Sequence, residues 1–241
     1  MMISPLSSVV ISLLFTTTFS APTALPITSP NAFPITELAD SNLAPEDHLI
    51  TKRQYSGNTY NQLTDGTACR PISVIYARGT NQAGNVGDPA AVGPIFFNNL
   101  ASKVGGTSVL AIQGVTYAAN VFGFLAGGDP AGSNTMANLV ASTATRCPST
   151  KIVLAGYSQG SQVVHNAAQK LSTANAARIA AVVNWGDPKF GQSLGAIDPI
   201  RTWAICHAGD NICDGGIIIT AAHTNYQQDA PLAATFVANN V

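Results

Sequence analysis

Charge is scarce in this chain: 10% of its 241 residues are Asp, Glu, Lys or Arg, and beyond the single pair Lys52-Arg53 the bases form no run. Without a basic stripe there is no source for the phosphate neutralisation that dominates nucleic-acid affinity, so a nucleic-acid partner is excluded. Long apolar runs are also missing. The stretch Val9 to Phe15 is too short to span a bilayer, and no transmembrane anchor is expected. Tryptophan occurs only as Trp185 and Trp203, and no N-x-S/T acceptor exists, so N-linked sugar is not expected. The cysteine spacings match no structural zinc pattern, and no histidine is suitably placed with them; neither a metal nor an organic cofactor is implied.

What the first residues do contain is an apolar stretch followed by small residues, with Thr18 and Ser20 suited to signal-peptidase cleavage. Residues 1–20 therefore read as a secretory signal, although the segment has no Lys or Arg of its own. From Ala21 to Ile50 there are five prolines, four acids and no Lys or Arg, a composition with little to bury. The stretch ends at the dibasic Lys52-Arg53, so residues 21–53 read as a pro-segment and Gln54 as the mature terminus; the plainer alternative is a flexible tail. Of 11 bases and 12 acids, two and four lie before Gln54, leaving a near-neutral domain of nine bases and eight acids. Its surface suits an uncharged or apolar substrate. Residues 54–241 have the size of one domain, read as a secreted monomer. All four cysteines, Cys69, Cys147, Cys206 and Cys213, fall within it, and an even number in an exported domain reads as two disulfides with three possible pairings. If Cys206 and Cys213 close a short loop and Cys69 and Cys147 a long one, chain entropy predicts about 2.5 and about 4 kcal/mol.

Apolar and β-branched runs alternate with helix-like segments, the pattern of an α/β domain around a mostly parallel sheet. Strands are predicted at Ile72 to Tyr76, Ser108 to Gln113, Lys151 to Gly156, Arg178 to Trp185 and Thr202 to Cys206. Helices are predicted at Ala90 to Val104, Met136 to Arg146, Ser161 to Leu171 and Asn225 to Val237. Such sheets deliver chemistry at the carboxyl ends of their strands. Four groups fall there: Arg78 to Thr80, Ser158, Asp187, and the loop from Cys206 to Cys213.

Ser158 is the most informative of these. Gly156-Tyr157-Ser158-Gln159-Gly160 follows a predicted strand and precedes a predicted helix, which is the setting a G-x-S-x-G nucleophile elbow requires. A serine hydroxyl is a poor nucleophile at neutral pH, so it needs a histidine to take its proton and an acid to hold that histidine in the right tautomer. In α/β-hydrolases these follow in the order serine, acid, histidine. His165 sits seven residues into the next helix, pointing away from the elbow, and His207 lies within the short cysteine loop. His223 remains, on a loop before the last helix. For the acid, Asp210 is favoured because a disulfide around it would supply rigidity. Asp187, which directly follows a strand, stays open; its plainer use is a turn residue before proline.

These residues resemble the fungal cutinases: the elbow, Tyr76-Ala77-Arg78-Gly79-Thr80 before it, and Gly209-Asp210 between Cys206 and Cys213, with His223 ten positions on. The resemblance runs from about Cys69 to the C-terminus. It implies a small three-layer α/β-hydrolase sandwich with a central five-stranded sheet and no large lid. It implies Ser158 as nucleophile, His223 as base and Asp210 as its partner, with disulfides Cys69 to Cys147 and Cys206 to Cys213. It also implies an oxyanion hole from the backbone N–H groups of Gln159 and Thr80, the Thr80 hydroxyl adding a bond. An asparagine that steadies the oxyanion residue in some cutinases has no clear counterpart in Gly127-Gly128-Asp129, leaving open how Thr80 is held.

Substrate follows from the walls of the crevice. Val121, Phe122, Phe124 and Leu125 before the second helix, and Ile217, Ile218 and Ile219 before His223, predict an apolar rim for an insoluble polyester or a small ester. The alternative for Ile217 to Ile219 is a buried strand. The rivals are an acetylxylan esterase, which would need a polar aromatic groove, a lipase, which would need a lid, and a non-catalytic secreted surface module.

Overall fold

The structure, a computed structural model, describes residues 55–241; the expected signal and pro-segment lie outside the described residues. Five strands, β1 (Ile72–Ala77), β2 (Leu110–Gly114), β3 (Lys151–Tyr157), β4 (Ile179–Trp185) and β5 (Thr202–Ile205), make one sheet in the order β2-β1-β3-β4-β5. Every neighbouring pair is parallel. The expected "mostly parallel" sheet is thus wholly so, and as in other all-parallel sheets its inner strands are apolar on both sides.

Period-two alternation assigns each strand residue to a face. Val74 and Tyr76 of β1, Val153 and Ala155 of β3, and Val183 and Trp185 of β4 enter one core with helices α1 (Val92–Val104) and α6 (Ala230–Ala238). Ile75 and Ala77, Ile152 and Leu154, and Val182 enter the other, under α3 (Pro130–Arg146) and α4 (Gln159–Ala168). The result is a helix–sheet–helix sandwich. Two short helices complete it, α2 (Val121–Leu125) and α5 (Thr173–Ala176).

The departures from the predicted elements have local causes. Helix α3 starts six residues before Met136, because Asp129 caps it by accepting from the Gly132 N–H at 2.7 Å and Pro130 fits the first turn. Val121 to Leu125, expected as a loop, is helical because the Asn120 side chain accepts from the Gly123 N–H at 2.9 Å. The closing helix is split: a 3-10 turn at Tyr226–Asp229 precedes α6, whose Pro231 is tolerated only in a first turn. Ile217 to Ile219 lie in no strand and are 68%, 65% and 57% exposed. The two disulfides join Cys69 to Cys147 and Cys206 to Cys213.

Candidate active site

The chain turns from β3 into α4 at Ser158, which has φ +56° and ψ −121°, a conformation L-residues rarely adopt. Glycine on either side is a packing requirement. A Cβ on Gly160 would come to 2.0 Å from the Ala77 carbonyl oxygen, and one on Gly156 to 2.5 Å from that of Gly160. The elbow is tied to the sheet by Ser158 N–H donating to the Trp185 carbonyl at 2.9 Å. Because α4 begins directly at Gln159, the Gln159 N–H belongs to the first turn and lacks an intrahelical partner.

His223 ends a 3-10 turn (Ala221–His223) that brings its ring over the elbow. Its Nε2 lies 2.9 Å from Ser158 Oγ, and its Nδ1 lies 2.8 and 3.0 Å from the two oxygens of Asp210. All three side chains are buried. With Nδ1 donating to the carboxylate, Nε2 is left as a lone pair facing the serine hydroxyl, which is what proton removal from that hydroxyl needs. Burial pushes the Asp210 carboxyl up, but hydrogen bonds from Tyr226 and His223 outweigh this and hold it below the ordinary aspartate value. Two tyrosines steady the ring: Tyr157 stacks on it at 5.4 Å and donates its hydroxyl to the His223 carbonyl at 2.7 Å, and Tyr226 meets its edge.

Asp187 is elsewhere. It is buried, and its Oδ2 lies 2.8 Å from Nε2 of His165, which is also buried; Asn184 and the Lys189 N–H supply its other donors. Among the described residues there are therefore two buried His–Asp pairs, and the one containing Asp210 is the one that meets Ser158. Arg78 is not free at the strand end either. Its guanidinium donates to the carbonyls of Gln82 and Tyr117 and lies over the Tyr117 ring, while the Tyr117 hydroxyl donates to the Arg78 carbonyl, bracing the loop that carries Thr80.

How Thr80 is held has an answer that sequence reasoning missed. The Gln159 side-chain amide donates to Thr80 Oγ1 at 2.9 Å and to the Asn120 carbonyl at 2.7 Å. With its oxygen occupied as an acceptor, the Thr80 hydroxyl has its own hydrogen to spare. The backbone N–H groups of Thr80 and Gln159 have no acceptor among the described residues. Tyr157 and Tyr226 were missed as well. The only signal for them is position, one residue before Ser158 and three after His223.

Thr80, Asn81, Val121, Phe124, Leu125, Tyr157, Ser158, Ile217, Ile219 and His223 line an open cleft of about 440 Å³. Phe122, expected on its rim, is 83% exposed on the adjoining surface and does not line it. One wall is pinned to α4 by Gln162 and Asn166, which donate to the carbonyls of Phe124 and Gly127. The other is pinned to the disulfide loop by Ile218 N–H on the Asn211 side chain and by the Thr220 hydroxyl on the Gly209 carbonyl.

That loop carries a second device. His207 is partly buried, with Nε2 2.7 Å from the Asp229 carboxylate and Nδ1 2.9 Å from the Ala222 carbonyl. The carboxylate and the carbonyl accept, and Asn225 Oδ1 lies 3.0 Å from Nδ1, so these contacts favour the protonated ring with hydrogen on both nitrogens. Burial pulls its pKa down, yet the Ala222 and Asp229 hydrogen bonds outweigh this and raise it above the ordinary value. A raised folded-state pKa stabilises below the unfolded value and is lost as pH rises through the folded one. The wild-type advantage in melting temperature over His207→Gln is therefore expected to shrink from pH 6 to pH 9; a constant difference would contradict the imidazolium assignment.

A family model described as Cutinase matches residues 68–241. The chain is 50% identical to a cutinase of Botryotinia fuckeliana over 173 residues, 72% of this chain and 84% of that one. Among solved structures it is similar to a Trichoderma reesei cutinase in complex with a phosphonate inhibitor, at 44% identity and a TM-score of 0.70, covering 76% of this chain and 80% of that one. The catalytic core of an acetyl xylan esterase from Trichoderma reesei, at 20% identity and a TM-score of 0.55 over 72% and 100% of the two chains, shares the fold.

Proposed function

The chain belongs to the cutinase family, and from that membership we propose that Ser158, His223 and Asp210 form the triad of a secreted cutin-hydrolysing esterase. It is a carboxylic ester hydrolase. The observation that carries the residue assignment is the single imidazole of His223 bridging Ser158 Oγ and the Asp210 carboxylate. In the proposed cycle the Ser158 hydroxyl gives its proton to His223 Nε2 as Oγ attacks the ester carbonyl carbon. The resulting oxyanion is met by the N–H groups of Thr80 and Gln159 and by the Thr80 hydroxyl. Collapse breaks the bond to the alkoxy oxygen, which leaves as alcohol with the proton from His223. Water, deprotonated by the same ring, then releases the acid and restores Ser158. Thr80→Val keeps the backbone donor and the shape but removes the hydroxyl, and is expected to lower kcat by about 100-fold with KM little changed. Steady-state kinetics check this, and an unchanged kcat would remove the hydroxyl from the oxyanion site.

The walls argue for an aliphatic acyl chain. Val121, Leu125, Ile217 and Ile219 present branched apolar surface on both sides of Ser158 and reach the exterior, so a chain protruding from a solid polyester can enter without the protein opening. For acetylated xylan the aromatic platform is wrongly placed: Trp203 lines a different cavity with His165 and Asp187, and Trp185 is buried. Rates on butyrate and longer esters are expected to exceed those on acetylated xylan, and the reverse order would make the acetylxylan reading the better one. An organophosphate is expected to add once, at Ser158, whereas a non-catalytic module would take up none. We further propose that the enzyme acts as a monomer, which light scattering on the secreted protein checks. We also propose signal cleavage near Ser20 and trimming after Arg53; the intact mass of the secreted protein checks for a terminus at Gln54.

A further inference from the structure

We propose that Tyr226 is a positioning residue of the ester hydrolysis, its hydroxyl fixing the Asp210 carboxylate in the orientation that His223 requires. This rests on the Ser158–His223–Asp210 reading. Asp210 lies in a loop; its Oδ1 accepts from the Ile212 N–H at 3.0 Å, and His223 Nδ1 lies 3.0 Å from Oδ1 and 2.8 Å from Oδ2, so the carboxylate can turn about its Cβ–Cγ bond unless a further donor fixes Oδ2. The Tyr226 hydroxyl donates to Oδ2 at 2.6 Å, beside the 2.8 Å contact from His223 Nδ1. The direction of that donation is forced. The Tyr226 oxygen already accepts from the His207 backbone N–H at 2.9 Å, so its one hydrogen is directed to the carboxylate.

The ring is held as firmly as the hydroxyl. Tyr226 is buried, and the His207 ring, whose pKa is raised, stacks on its face with centroids 4.0 Å apart and planes 16° from parallel. A cation over a tyrosine face is attracted to it. His207 is in turn fixed by Asp229 and the Ala222 carbonyl, so the clamp spans the disulfide loop and the segment that follows His223. Burial and the Asp210 hydrogen bond push the Tyr226 phenol up, so it remains a donor throughout the range in which an ester hydrolase works. If packing were its only task, phenylalanine would fill the same space; the hydroxyl touches only the loop that carries the acid.

A double-mutant cycle on p-nitrophenyl butyrate with the full chain tests this. Tyr226→Phe is expected to lower kcat by about 10- to 100-fold, the range for losing a hydrogen bond to a charged group, with KM within about twofold. In an Asp210→Asn background the same change should cost less than about twofold, because the group it positions is already gone. Equal losses in both backgrounds would mark a purely structural role, and a kcat within about twofold of wild type would overturn the proposal outright. If Asp210→Asn itself retains full turnover, the triad reading fails first and takes this one with it; if only Tyr226→Phe is silent, the triad stands alone. Should Tyr226→Phe be recovered unfolded, His207→Gln, which removes the stack but keeps the hydroxyl, is expected to lower kcat by about two- to tenfold at unchanged KM and by less than about twofold in the Asp210→Asn background; equal losses in both, or no loss, would likewise overturn the proposal.

Discussion

Ser158→Ala is expected to lower kcat for ester hydrolysis by about 10⁶-fold while leaving a folded, disulfide-bonded protein. The size follows from the geometry: Ser158 Oγ is the cleft oxygen that meets an imidazole nitrogen, at 2.9 Å, and the other cleft hydroxyls, on Thr80 and Tyr157, are bonded to Gln159 and to the His223 carbonyl. What remains after its loss is oxyanion stabilisation of direct attack by water. Stability should move little, because alanine keeps the positive φ of the elbow and gives up one side-chain hydrogen bond. Glycine at 158 sharpens the test. It has no Cβ to strain at φ +56°, so Ser158→Gly should be more stable than Ser158→Ala by about 1 kcal/mol while equally inactive. Active-site titration and paired thermal melts read both effects. Residual turnover within tenfold of wild type would remove Ser158 from the mechanism, and a glycine variant no more stable than alanine would show that the elbow stores no strain.

Much of the sheet and of the site was legible from local pattern, and the limits of legibility are physical. Strands buried on both faces read as continuous apolar runs, so Ile72 to Tyr76 and Lys151 to Gly156 were each within a residue of the observed strands. The elbow was legible because backbone contacts demand glycine at 156 and 160, while the serine between them is demanded by the chemistry. Ile217 to Ile219 show the opposite case. A run of β-branched residues has strand propensity, but this one joins no strand of the sheet; it stays in a loop, and Ile217 and Ile219 wall the cleft. Helix geometry predicts His165 pointing away from the elbow; its ring pairs with Asp187 and not with Ser158, and that partner, 22 residues on, could not be read from any period. Gln159 is subtler. Its backbone role follows from standing next to the nucleophile, whereas its side chain reaches Thr80 and Asn120, 79 and 39 residues away, through tertiary folding alone.

Asp210→Asn and Asp187→Asn should separate the two buried His–Asp pairs by their consequences. Asparagine at 210 presents an amide that can offer N–H to His223 Nδ1 and so favours the tautomer whose Nε2 carries hydrogen, the wrong state for accepting the Ser158 proton. A loss of about 10⁴ in kcat is expected. Asparagine at 187 makes the same local change to His165, but neither nitrogen of that ring meets Ser158, so turnover should stay within about threefold of wild type; the cost appears as stability instead. Asp187, itself buried, accepts from His165, Asn184 and the Lys189 N–H, and an amide there turns one acceptor into a donor facing donors. A destabilisation of about 1 to 3 kcal/mol follows, several degrees in melting temperature for a domain of this size. The two variants thus trade places on two independent readouts, kcat and melting temperature. If Asp187→Asn took the larger kcat loss, the acid would be reassigned and the disulfide loop around Asp210 would become a purely structural clamp. If both lost activity alike, the His165 pair would have to be coupled to the elbow through α4, whose first residue follows Ser158 and whose seventh is His165.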